Sequence, residues 1–130
     1  MMRATLVAGV LSLMGCETDE TVAAFAGDAT VFALQSLDGA PFPASASLDV
    51  GTPGQITGDA PCNSYSADQS APYPWFALGP IAATRRACPD LAAEAAYFDA
   101  LAAMTLAEVV GDTLILSNTD GGEMVFQAVP

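Results

Sequence analysis

The chain has 130 residues, with 15 acidic side chains, 3 basic side chains and no histidine, so its formal net charge at pH 7 is −12. This charge argues against nucleic acid as a partner, because a phosphate backbone needs a cationic surface. Without histidine there is no Ser-His-Asp or Cys-His arrangement and no histidine ligand for zinc. Carboxylate pairs are possible among 15 acids, but no spacing singles one out for glycosidase chemistry. We therefore expect no catalytic, cofactor-binding or metal site.

The first 16 residues have the layout of a bacterial export signal. Arg3 gives a basic start, residues 4–13 are apolar, and the tetrapeptide Leu-Met-Gly-Cys ends at Cys16. About 10 apolar residues are too few to cross a ~30 Å hydrocarbon core as a helix, which favours a cleaved segment over a permanent anchor. The tetrapeptide resembles the lipobox of bacterial lipoproteins. That resemblance implies removal of residues 1–15 and a diacylglyceryl group on Cys16; an ordinary secretory signal is the alternative.

Cleavage would leave 115 residues, a common size for one domain. Fifteen acids would then face two arginines, a net charge of −13. Such a surface also repels anionic headgroups, so we expect the membrane to be reached through the N-terminal lipid. A solvated acidic surface is the simplest role for these charges, and a cationic partner is the alternative. An aspartate directly after the lipid cysteine would resemble the inner-membrane retention signal of enteric lipoproteins. Glu17 holds that position here, so the resemblance slightly favours the outer membrane within the cell envelope.

Residues 16–28 carry four acids and lack the period of a long helix or strand. We predict that they form a flexible acidic tether and that the folded domain covers residues 29–130. The domain begins with a predicted strand at 30–37. Strands at 45–50 and 55–58 follow as a hairpin, because the sequence GTPG between them favours a turn.

The middle of the chain is less regular. Residues 66–74 are polar and rich in proline, which predicts a loop. Residues 75–81 are apolar enough for a buried strand, in which Pro80 indicates an edge position or a bulge.

One helix is predicted at residues 90–104. Asp90 can cap its start, and Glu94 lies in the first turn near the positive end of the helix dipole, where we expect it to be exposed. Spacings of three and four residues define one apolar face. We expect this face to pack on the sheet, with a groove-binding helix as the alternative. The face consists of Leu91, Ala95, Phe98, Leu101 and Ala102.

Three strands are predicted after the helix, at residues 106–110, 113–117 and 123–129, joined by tight turns as a meander. The turn at 118–123 has polar residues that suggest a calcium loop, but it lacks the 12-residue ligand spacing and fits a hairpin turn better. The predicted fold class is therefore α+β, an antiparallel β-meander or partly open β-barrel with one packed α-helix.

Two blocks resemble the META domain of HslJ-like bacterial lipoproteins. Residues 58–65 (GDAPCNSY) are similar to its Gly-Cys-Asn-x-Tyr block, and residues 78–89 end in its Thr-x-x-x-Cys pattern. Pro61 stands where the family has glycine, and Phe32 where it commonly has tryptophan. Residues of the helix and closing hairpin also match: Glu94, Phe98, Leu101, Leu114, Leu116, Asp120, Gly121 and Phe126. Over residues 29–130, the resemblance implies a non-enzymatic envelope protein linked to stress resistance.

Cys62 and Cys88 are the cysteines that remain if Cys16 is acylated. Two thiols of one exported domain usually form a disulfide. It would close a loop of roughly 27 residues and contribute about 3.5 kcal/mol in the chain-entropy model. Free or redox-active thiols are the alternative, and a soft-metal site would require further ligands.

The function that these patterns favour is a lipid-anchored envelope protein with a non-catalytic META-like domain, serving envelope maintenance or stress resistance. Its partner would be another envelope protein. The rival function is the binding of a small apolar ligand or lipid in a barrel cavity. Arg85 and Arg86 form the one cationic spot of the predicted domain, which could dock an anion or pair with nearby acids.

Overall fold

The computed structural model describes residues 18–130, which form one open antiparallel sheet with a single α-helix and a short 3-10 helix at Val22–Phe25. The α-helix, α1, covers Leu91–Ala103. The strands are β1 (Val31–Leu37), β2 (Ala40–Pro41), β3 (Ser47–Asp49), β4 (Gln55–Asp59), β5 (Ser64–Asp68), β6 (Ala82–Ala83), β7 (Leu106–Val110), β8 (Thr113–Ser117) and β9 (Glu123–Ala128).

The strand order in the sheet is β6-β5-β4-β3-β1-β9-β8-β7, and β2 pairs with the end of β1. Every pairing is antiparallel, and the two ends of the sheet do not meet. The predicted α+β class is confirmed in this form, as an open sheet with one helix. The C-terminal meander β7-β8-β9 is also confirmed.

The core lies on one face of the sheet because apolar residues alternate along the long strands. In β9, Phe126 is fully buried and lies between Leu34 of β1 and Leu114 of β8 in the strand register. Helix α1 adds Tyr97 and Leu101, neither of which has any exposed surface. None of the helices in the part of the chain from residue 18 onward is long and apolar enough to cross a membrane.

The bounds of α1 agree with the predicted helix, but its buried face differs from the prediction. Leu101 is buried as expected, whereas Phe98 is half-buried and Leu91 is 45% exposed. Ala95 and Ala102 are exposed as well. The buried face instead consists of Glu94, Tyr97 and Leu101. An alanine-rich helix is apolar on all sides, so spacing alone defines its inner face poorly.

The predicted buried strand at residues 75–81 is wrong. This segment makes isolated bridges, Trp75 with Leu106 and Gln69 with Leu78, and Trp75 is 58% exposed. Prolines before and within it lack the N–H that a ladder requires. The predicted loop at 66–74 is partly wrong too, because β5 extends to Asp68.

The prediction of a flexible tether over residues 16–28 does not hold for residues 22–26. Val22 is 2% exposed and Ala26 is 6% exposed, so the short 3-10 helix belongs to the core. The backbone N–H of Tyr73 donates to the carbonyl of Glu20 at 2.7 Å, which fastens this segment to the rest of the domain. Packing therefore begins near Val22 and not at Ala29. Cys16, the residue predicted to be lipidated, and the predicted signal lie outside the described residues.

Candidate functional site

Cys62 and Cys88 are joined by a disulfide, with their Cα atoms 5.6 Å apart. Cys62 lies in the turn between β4 and β5, and Cys88 lies in the segment that leads into α1. The bond thus fastens the start of the helix to the end of a strand pair.

A buried carboxylate lies beside this disulfide. Glu94 of α1 is 6% exposed. Its Oε1 accepts the backbone N–H of Cys62 at 3.1 Å and that of Asn63 at 2.8 Å, and its Oε2 accepts the side-chain amide of Asn63 at 2.8 Å. All three partners donate, which is the pattern that an ionised carboxylate can satisfy. The expectation that Glu94 is exposed is therefore wrong.

Asn63 connects the carboxylate to the segment after β6. Its side-chain oxygen accepts the hydroxyl of Thr84 at 2.9 Å and the backbone N–H of Arg86, and its amide also donates to the Arg86 carbonyl at 3.2 Å. We call Cys62, Asn63, Thr84, Arg86 and Glu94 the Glu94 cluster. Arg86 contributes its backbone here, while its side chain is exposed.

A second polar contact lies deeper, where Tyr65 and Tyr97 meet hydroxyl to hydroxyl at 2.6 Å. Both hydroxyls also lie within hydrogen-bond distance of the Ser47 carbonyl, at 2.9 and 3.3 Å. Burial raises the pKa of Tyr65 and of Tyr97 well above the usual value, so both phenols stay neutral. Only glycine fits at position 58, next to this carbonyl, because a Cβ on Gly58 would lie 2.1 Å from the Ser47 carbonyl oxygen.

These contacts make the two sequence blocks and the helix into one internally satisfied unit. Within residues 18–130, no buried side-chain nitrogen or oxygen lacks a hydrogen-bond partner. The same part of the chain contains no group of three or more possible metal ligands. The hydrogen bonds of the Glu94 cluster therefore join three segments of the chain. They hold the β4–β5 turn, the Thr84–Arg86 backbone and α1 in one arrangement.

Sequence reasoning placed Cys62 and Cys88 correctly as neighbours but missed Asn63 and Tyr97 as functional positions. It gave Glu94 a role in the helix dipole only. One signal was available: Glu94 is one of two acids in an otherwise apolar helix, and an acid on the inner face needs donors from elsewhere.

The interior leaves little room for a ligand. Phe32, Leu48 and Phe126 are each at most 1% exposed and fill the space between the sheet and the helix. Hollows of 300 to 400 Å³ on the described surface are open to solvent. The hollow of 400 Å³ is lined by small and polar residues that include Ser45, Ser47 and Asp59.

The loop predicted as a hairpin turn rather than a calcium site is a hairpin turn. Asn118 accepts the backbone N–H groups of Asp120 at 3.0 Å and Gly122 at 2.8 Å through its side-chain oxygen. Gly121 adopts a positive φ of 86°, which favours glycine. The turn joins β8 to β9 and leaves the Asn118 oxygen occupied by protein donors.

Comparison with known proteins gives one family match. The model of a family described as the META domain matches residues 23–130. An NMR structure of a protein from Burkholderia xenovorans has a TM-score of 0.63 and 21% identity, covering 83% of this chain and 86% of that chain. A second NMR structure has a TM-score of 0.60 and 17% identity, covering 76% and 88%. At these identities the likeness shows the fold alone. No curated protein matches the sequence significantly.

Proposed function

The chain belongs to the META domain family, and on that premise we propose that it is an envelope-associated, lipid-anchored protein whose domain acts without catalysis. Family membership supports the envelope association. The lipid anchor is supported by the layout of residues 1–16, with Cys16 as the acylated residue. The domain would face the periplasm and help to maintain the envelope under stress.

One observation carries the non-catalytic part of the proposal. The polar residues of the family blocks bond to one another inside the domain, as Glu94 does with Asn63 and Tyr65 with Tyr97. A catalytic carboxylate or phenol must instead reach a substrate from a cleft. Residues that are buried and satisfied in this way stabilise a rigid domain, and recognition then falls to the exposed surface.

The anchor is tested by replacing Cys16 with Ser. The parent protein should fractionate with membranes and carry the mass of its acyl chains, and the C16S variant should be soluble after export. Thr18→Ser is the matched control, since it changes a residue close to Cys16 but keeps the lipid-bearing cysteine and the disulfide. Retention of C16S on salt-washed membranes would place the anchor elsewhere.

The envelope role is tested in cells that lack the protein, by measuring uptake of a dye that an intact envelope excludes. The parent gene should restore exclusion under heat or detergent stress, whereas C16S should not. Full restoration by C16S would show that the domain works without its anchor. Unchanged dye uptake in the deletion strain would contradict the proposed role.

Binding of an apolar ligand in a barrel cavity receives no support from the filled interior. Native mass spectrometry of the protein purified from its own membrane tests whether such a ligand is bound. We expect the mass of the acylated chain alone. A further bound mass that survives the C16S substitution would favour the carrier.

A further inference from the structure

Three aromatic residues, two of them largely exposed, lie on two segments beside β7: the 3-10 helix and residues 73–75. Phe25 of the 3-10 helix is 51% exposed, and Trp75 is 58% exposed. The ring of Tyr73 stacks on that of Phe25, with centroids 4.2 Å apart and planes 17° apart. Adjacent exposed apolar side chains often mark a surface that contacts a partner or a membrane. We call Phe25, Tyr73 and Trp75 the aromatic ridge.

The segment that carries Tyr73 and Trp75 is held against β7 by hydrogen bonds. It lies along this strand, where Trp75 bridges Leu106 and the Pro74 carbonyl accepts the N–H of Ala107 at 2.8 Å. The hydroxyl of Tyr73 accepts the N–H of Val109 at 3.0 Å. The backbone under the exposed rings is thus held at two points along a strand.

The first described residues of the chain lie at the same place. Glu20 accepts the Tyr73 N–H through its carbonyl, and Asp19 accepts the N–H and the hydroxyl of Thr21 at 2.9 and 2.6 Å. Glu20 lies four positions after Cys16, so four Cα–Cα steps join them. Fully extended, they span at most about 14 Å. A lipid on Cys16 therefore brings the ridge to the bilayer surface.

We propose that the aromatic ridge is a membrane-contact surface that docks the domain on the headgroup region of the bilayer to which Cys16 is anchored. The proposal rests on the lipid anchor of the proposed function. Tryptophan and tyrosine favour the membrane–water interface, because one end of each ring system is apolar and the other end forms hydrogen bonds. The anchor keeps the ridge at high local concentration against the lipid, so a small contact suffices.

The acidic residues next to the aromatic ridge favour one kind of lipid surface. Three acidic residues lie at the backbone contacts of the ridge: Glu20 accepts the Tyr73 N–H, Asp19 precedes it in the chain, and Glu108 lies between Ala107 and Val109. They repel an anionic surface over roughly 8 Å at physiological ionic strength. A zwitterionic surface, such as phosphatidylcholine or phosphatidylethanolamine, is the matching occupant.

Trp75 is the only tryptophan of the chain, so its fluorescence reports on the ridge directly. The lipidated protein is placed in phosphatidylcholine vesicles whose acyl chains carry bromine near the headgroup. Relative to soluble C16S protein, Trp75 emission should move to shorter wavelength, and bromine should quench it. Emission that matches the soluble protein and escapes quenching overturns the proposal.

Two matched variants locate the contact. Phe25→Ser should lose the quenching, whereas Leu91→Ser should keep it, because Leu91 is a similarly exposed apolar residue at the start of α1. Equal losses in both variants overturn the proposal. Glu20→Gln provides a second test that leaves the ridge intact. On vesicles that contain phosphatidylglycerol, the parent should be quenched less than on phosphatidylcholine, and Glu20→Gln should be quenched more than the parent. Equal quenching of Glu20→Gln and the parent on these vesicles overturns the charge argument.

Intact mass of the same samples separates the two proposals. Absence of acyl chains contradicts the lipid anchor, whereas acylated protein with an unquenched Trp75 contradicts the ridge alone. A wavelength shift that grows with the protein-to-lipid ratio, without bromine quenching, would mean that a second copy covers the ridge. That result also overturns membrane contact.

Discussion

The Glu94 carboxylate on α1 and the Asn63 amide in the β4–β5 turn hold each other through two hydrogen bonds of 2.8 Å, across 31 residues of sequence. One bond uses the backbone N–H of Asn63 and the other its side chain. This pairing places the first turns of the helix over the turn that carries Cys62. It also explains how a carboxylate that is 6% exposed is tolerated in a small core.

The first prediction concerns this pairing. Glu94→Gln places an amide where only acceptors fit, so one buried donor loses its partner, and the free energy of unfolding should fall by about 1.5–3 kcal/mol. Urea unfolding of the two proteins measures the difference. Glu108→Gln, at an exposed position of β7, is the control and should change stability by less than about 0.5 kcal/mol. Equal losses in both variants would mean that the Glu94 contacts contribute nothing.

The second prediction concerns the disulfide. Freshly isolated protein should resist alkylation at Cys62 and Cys88 until reductant is added, and its mass should be two hydrogens below that of the reduced form. Reduction should lower the free energy of unfolding by about 3.5 kcal/mol, because the unfolded chain regains the freedom of the closed loop. A Cys62→Ala/Cys88→Ala protein should not respond to reductant. Full labelling of both thiols in isolated envelopes would contradict the bond.

The third prediction orders two helix residues by burial. Leu101 has no exposed surface, so Leu101→Ala should leave a cavity and cost about 2–5 kcal/mol. Phe98 is half-buried and packs edge-on against Tyr65, so Phe98→Ala should cost less than the 3–5 kcal/mol typical of a buried phenylalanine. Thermal melting gives the order, with Leu91→Ala as the exposed control. A larger loss at Phe98 than at Leu101 would contradict the observed helix face.

The fourth prediction is a loss of stability at high pH. The folded protein raises the pKa of Tyr65 and Tyr97, whereas the unfolded chain ionises them near pH 10. Their contribution to stability is therefore fully present below about pH 10 and decreases as the pH rises further, since only the unfolded state releases these protons readily.

This pH dependence can be measured in a Tyr73→Phe background, where Tyr65 and Tyr97 are the only tyrosines. Tyrosinate absorbance should increase together with unfolding and not before it. A further Tyr97→Phe substitution should reduce the fall in stability with pH. Ionisation of either phenol in protein that is still folded, just above pH 10, would contradict their burial.

Local pattern was sufficient for the second half of the fold. Buried and more exposed residues alternate along β8 and along β9 as far as Gln127, and the glycine turns before and after β8 are explicit in the sequence. The bounds of α1 were predicted to within one residue from its composition, although the Asp90 side chain does not form the expected cap. In these segments, neighbours in sequence are neighbours in the sheet, so local signals and the tertiary structure agree.

Long-range contacts decided what the sequence did not reveal. β5 has the sequence Ser-Tyr-Ser-Ala-Asp, which lacks a strong strand signal, and it is a strand because β4 and β6 pair with it. The Glu94 side chain is buried because the backbone N–H and the side-chain amide of Asn63 donate hydrogen bonds to it. The position of Val22 in the core likewise depends on packing by residues far along the chain. None of these relationships has a period that a window of sequence can detect.

The pairing of β1 with β9 has a consequence for the order of folding. Phe32 is registered with Ala128, so the central ladder joins residues that are 96 positions apart. Loop closure over such distances slows folding relative to local pairing. A chain that emerges from its N-terminus, as it does during synthesis, cannot assemble the middle of this sheet until its final strand has emerged. Until then the edge of β1 that faces away from β3 has no partner, and deletion of residues 123–130 would remove a strand from between β1 and β8 and not merely the end of the sheet.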